Sequence, residues 1–124
     1  MPANVAIPYF KPGHDITVHA TVALTGKTFV QAVAGGRGTL PDAAPATAGA
    51  RVLGVVGHDI AAEGHVHVNV GGIVPVTAGV DITATDPIAV GEGGTAVPAE
   101  AEAEVVGYAV ANAASGADAP VLLK

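Results

Sequence analysis

The chain has 124 residues and a formal net charge of −6; 26 Ala, 20 Val and 17 Gly fill just over half of it, against two Phe, two Tyr and no Trp. Leu, Ile, Val and Phe still reach about 27% of the chain, above the level of disordered sequences, and the length suits one domain. The absence of Cys excludes disulfides, thiolate zinc sites and a cysteine nucleophile. The acidic balance argues against nucleic-acid binding, and no apolar run approaches the ~20 residues of a membrane span, so the expectation is a soluble protein made in the cytoplasm.

Residues 1–13, MPANVAIPYFKPG, carry three prolines and half of the aromatics. Pro2, Pro8 and Pro12 fix extended backbone and remove donors, which predicts an arm rather than a helix. Tyr9 and Phe10 can either pack back on the chain's own domain or anchor it to a partner. From Ile16 to Leu24 the apolar residues fall at every second position (Ile16, Val18, Ala20, Val22, Leu24), a half-buried strand. Residues 28–33 predict a second strand, stopped by Gly35-Gly36-Arg37-Gly38, and the Pro- and Ala-rich residues 39–50 read as a loop.

Arg51–Val56 resumes β-type content, and His65–Val70 alternates strictly. Ile73–Val76 follows, with Pro75 pointing to a sheet edge or a bulge. Residues 79–91 predict a strand pair broken at Asp86-Pro87, with a short strand at Ala96-Val97. The stretch 99–104, with Glu100, Glu102 and Glu104, suits a helical turn or an acidic edge. Tyr108–Val110 and Val121–Leu123 supply the last strands. Residues 52–70 and 105–122 echo one another, a duplicated hairpin unit in which Ala61-Ala62 matches Ala113-Ala114 and Gly64 matches Gly116. Many short strands with Gly/Pro punctuation predict an all-β fold, a small β-sandwich or β-barrel-like domain over residues 14–124 with an extended arm over 1–13.

Charge divides unevenly. Residues 1–51 hold Lys11, Lys27, Arg37 and Arg51 against two acids, whereas residues 52–123 hold nine acids and no Lys or Arg. The positive portion can face an acidic protein partner, or the acidic surface can serve solubility alone.

Chemistry is scarce. His65 and His67 share one strand face at a spacing able to chelate a metal, with His58 and Asp59 nearby, so a small metal- or ligand-binding β-barrel using His58, His65 and His67 is an alternative reading. Alternation instead leaves both imidazoles on a solvated face opposite Val66, Val68 and Val70, and no cofactor or metal is expected. Ser115 lacks a nucleophile elbow, and Gly35–Gly38 lacks the residues of a phosphate loop. No catalytic constellation is present, and the chain is not expected to be an enzyme.

The opening ANVAIPYFKPGHDITVHATVALTGKTFVQAV, the middle RVLGVVGHDIAAEGHVHVNVGGIVPVTAG and the closing VVGYAV with VLL resemble the small capsid decoration (head-stabilising) proteins of tailed bacteriophages. The resemblance implies a β-rich module on the outer surface of the mature virion capsid, stabilising it by bridging neighbouring major capsid protein subunits, commonly as a homotrimer. No nucleic-acid or membrane partner is expected, on the acidic charge and the lack of a long apolar run. The resemblance also implies an N-terminal arm that reaches the capsid, which carries over to Ala3, Asn4, Val5, Ile7, Pro8, Tyr9, Phe10 and Lys11. A tail or head-fibre component of the same β-rich composition is a further reading.

Overall fold

A computed structural model describes Ala3, Asn4, Tyr9 and residues 15–123. Among these residues ten strands follow in chain order: β1 Ile16–Ala20, β2 Phe29–Arg37, β3 Leu40–Pro45, β4 Gly54–Val56, β5 His65–Asn69, β6 Ile73–Thr77, β7 Pro87–Val90, β8 Ala96–Pro98, β9 Gly107–Ala109 and β10 Asp118–Leu123. The first five close a barrel in the order β1-β3-β2-β4-β5, and the last five form a sheet ordered β6-β10-β9-β7-β8. The fold is therefore all-β. In β5 the alternation works as sequence dictates: Val66 and Val68 are buried, His65 and His67 exposed. Pro75 lies in β6, at the sheet edge, where its missing donor costs least.

The two sets of strands are one pattern used twice. Val18 pairs with Val66 across β1–β5, and Val76 with Ala119 across β6–β10. Val30 pairs with Gly54 and Pro45, and Ile88 with Gly107 and Pro98. The parallel pair Ala20–Ala43 recurs as the bridge Ala78–Ala96, which brings the two edges of the second sheet together. Leu24–Ile60 recurs as Ile82–Ala113. The shift between halves is 58 residues before the β2–β3 hairpin and 53 after it, so the first hairpin is five residues longer. The left-handed positions repeat as well: Lys27 (φ 64°) matches Thr85 (φ 74°), and Glu63 (φ 70°) matches Gly116 (φ 85°). So does a side-chain cap, with Asp59 accepting from the Gly26 amide at 2.7 Å and Asn112 from the Ala84 amide at 2.8 Å.

Two apolar clusters result. The barrel interior holds Val18, Ala20, Leu24, Val30, Ala43, Val56, Val66 and Val68, with no aromatic ring. The second cluster fills the other sheet and also takes Phe29, Ala46 and Val55 from the first half. Strand β4 is buried at every position because Val56 faces the barrel and Val55 faces the second half. Gly54 and its twin Gly107 sit where a Cβ would collide with the carbonyls of Asn69 and Leu122, so close backbone approach fixes glycine at both.

Several sequence expectations are corrected. Strand β1 ends at Ala20, and Val22 is exposed, because the Thr21 amide turns to the Ala43 carbonyl as the chain leaves the sheet. Strand β2 runs on to Arg37 through Gly35 and Gly36, which form a register shift instead of a stop: a Cβ at Gly36 would meet the Asp42 amide. Residues 40–45 form β3 rather than loop, held between β1 and β2 despite Pro41 and Pro45. Residues 79–86 contain no strand, only the bridge at Ile82, and residues 99–104 turn without helix or strand. The echo is also shifted by one: Ala61 matches Ala114 and Gly64 matches Ala117, as the bonds Gly64 N to Ala61 O and Ala117 N to Ala114 O establish.

Candidate interaction surfaces

The histidines divide into two pairs. His19 on β1 and His65 on β5 have ring centroids 5.7 Å apart, and His58 and His67 lie 5.6 Å apart. His67 covers the backbone of Gly57, and His58 Nδ1 meets the Asp59 carbonyl at 2.8 Å. Among the described residues no group of three or more His, Cys, Asp or Glu is arranged to hold a metal ion, so His58, His65 and His67 do not converge on one site. Among the described histidines, the one with carboxylate partners is His19, outside the His58, His65 and His67 set. His19 lies between Asp42 (Nδ1 to Oδ1, 3.0 Å) and Glu63 (Nε2 to Oε2, 2.9 Å). The Asp42 contact first, and the Glu63 contact after it, hold its pKa above the usual imidazole value against the opposing effect of desolvation. Ser115 donates to the Gly79 carbonyl at 3.2 Å, in a turn.

The charge asymmetry is partly consumed inside the molecule. Lys27 of the first half pairs with Asp118 of the second at 2.9 Å, and Arg51 with Glu104 at 2.9 Å. Both pairs are exposed and contribute little stability each. They do place cation-bearing loops of one half on acids of the other. An open cleft of about 290 Å³, lined by Arg51, Val52, Glu104, Val105 and Val106, runs along the second pair.

Of the expected arm residues, Ala3, Asn4 and Tyr9 are described and exposed; Val5, Ile7, Pro8, Phe10 and Lys11 lie outside the described residues. Tyr9 is 71% exposed, and a Cβ at Gly38 would run into its ring, so the phenol lies over the tip of the β2–β3 hairpin.

A continuous apolar row among the described residues lies elsewhere, on the outer face of the second sheet. Pro87 pairs with Tyr108, Tyr108 with Leu122, and Leu122 with Ile73, one row across β7, β9, β10 and β6. All four are exposed, Ile73 at 60%. At ~4.8 Å per strand the row is roughly 14 Å long. Sequence reading missed it because its members lie far apart in the chain and only strand register aligns them.

The scaffold is thus a duplicated all-β unit that presents an exposed apolar row on its second sheet. The family model for phage cement proteins matches residues 7–124, and the chain belongs to that family, a capsid-associated structural class. The chain also shares its fold with the head fiber gp8.5 N base of bacteriophage phi29: the TM-score is 0.76 at 23% identity, over 90% of this chain and 93% of that one. No curated protein matches the chain in sequence.

Proposed function

We propose that this protein binds the outer surface of the mature phage capsid and stabilises it by bridging neighbouring major capsid protein subunits, as a homotrimer anchored by its N-terminal arm. Membership of the phage cement family over residues 7–124 carries this reading. The fold shared with a phi29 head fiber base is consistent with a place on the head exterior. The anchor is assigned to Ala3, Asn4, Val5, Ile7, Pro8, Tyr9, Phe10 and Lys11. Tyr9 leaves most of its ring free for a partner to bury, and aromatic anchors are typical of such contacts. A chain with small core residues gains stability when neighbours cover it, and weak contacts repeated over a lattice add to high avidity.

Co-pelleting with expanded capsids tests the reading and the anchor separately. The full chain should pellet to saturation. A chain lacking residues 2–13 should keep its β circular dichroism and fall to background. A full chain that stays in the supernatant refutes capsid binding; a shortened chain that saturates refutes the arm as anchor.

A further inference from the structure

The duplication isolates one segment that the fold itself does not need. The first hairpin, β2–β3, is five residues longer than its twin, β7–β8, and residues 34–39 at its end are exposed throughout. None of them enters either apolar cluster. An extension that buries nothing within the chain is free to meet a partner.

Its tip brings two side chains to one place. The first is the ring of Tyr9, far from the hairpin in sequence. A Cβ at Gly38 would meet that ring, at Cε2, Cδ2 and Cζ, before any other group. Gly38 lies outside the left-handed region, so the backbone does not demand glycine there; the ring does. The seat holds the phenol without hiding it, since Tyr9 stays 71% exposed. The second is Arg37, the residue before Gly38. Lys27 and Arg51 are bonded to Asp118 and Glu104, whereas Arg37 pairs with no carboxylate among the described residues. In a chain of net charge −6 the tip is therefore a positive point beside an aromatic ring, and Arg and Tyr are enriched among the residues that dominate protein interfaces.

We propose that Tyr9, Arg37 and Gly38 form one docking surface at the tip of the β2–β3 hairpin, and that its occupant is an acidic patch of the capsid protein. The proposal rests on the capsid-binding reading and adds the hairpin to the arm as part of the contact. Gly38 places the Tyr9 ring before binding, which lowers the ordering cost of the contact. Arg37 sets the charge of the surface that fits it, because complementary charge selects and steers a partner.

The half-saturation concentration in co-pelleting with expanded capsids tests this, for the full chain beside Arg37→Glu and Gly38→Ala. The second variant adds a single methyl group where the ring lies. Each should raise half-saturation by about tenfold with unchanged circular dichroism. Added salt should weaken the unmodified chain more than Arg37→Gln, since screening acts on the charge that the variant lacks. Either Arg37→Glu or Gly38→Ala pelleting like the unmodified chain overturns the composite surface. If loss of residues 2–13 still abolishes pelleting in that case, the arm reading stands without it. A full chain that never pellets overturns the capsid reading and this inference together. The seat has a readout in the free chain as well. Tyr9→Leu should move the Gly38 α-proton signals in the NMR spectrum, because the ring lies against them; unmoved signals overturn the seat.

Discussion

Among the described residues, His19 is the side chain that bonds two carboxylates. Its ring draws Asp42 on β3 and Glu63 in the turn before β5 onto β1, so three separate segments meet at one imidazole. Glu63 holds a left-handed backbone that costs a non-glycine residue about 1–2 kcal/mol, whereas its twin is Gly116. The raised pKa of His19 has a definite consequence. A group that binds its proton more tightly when folded adds stability below its unfolded pKa, about 6.5 for imidazole. That contribution fades as pH rises through the folded value. The melting temperature of the unmodified chain should therefore exceed that of His19→Gln by more at pH 6 than at pH 8.5. A difference that grows toward alkaline pH would contradict the two-carboxylate account.

Among the elements, β2 joins the halves, because successive residues serve different cores: Val30 the barrel, Phe29 the second sheet. Phe29 is the one fully buried aromatic among the described residues. Phe29→Ala should cost about 3–5 kcal/mol, read as a lower urea midpoint. A loss under about 1 kcal/mol would mean that the halves hold together without it. Sequence made β5 legible because its pleat buries one face only, so Val and His alternate without exception. It hid β3, where Pro41 and Pro45 oppose strand pairing and barrel closure overrides them. It overextended β1, since Val22 continues the alternation after the backbone has left the sheet. The repeat was visible only in part. Gly54 and Gly107, forced by close approach, mark the second portion of each half. The five-residue difference in hairpin length breaks the period, and interchangeable Ile, Val and Ala erase identity in the first portion.

At the scale of the molecule, a sequence poor in large side chains becomes two thin β modules that share one apolar cluster and two cross-half ion pairs. The heavier apolar groups left over, Tyr9, Tyr108, Leu122 and Ile73, stand at the surface. Composition alone reads as a shortage of core; register shows that some of the missing apolar mass was laid outward in one row. In the proposed role on a phage head, the capsid lattice would cover such surface and complete the burial. The most direct test is the temperature at which purified expanded capsids of the same phage disrupt, measured with and without saturating amounts of this chain. The account expects disruption to move several degrees higher when the chain is bound, and less for Leu122→Glu. Capsids that disrupt at the same temperature with the chain bound would contradict it.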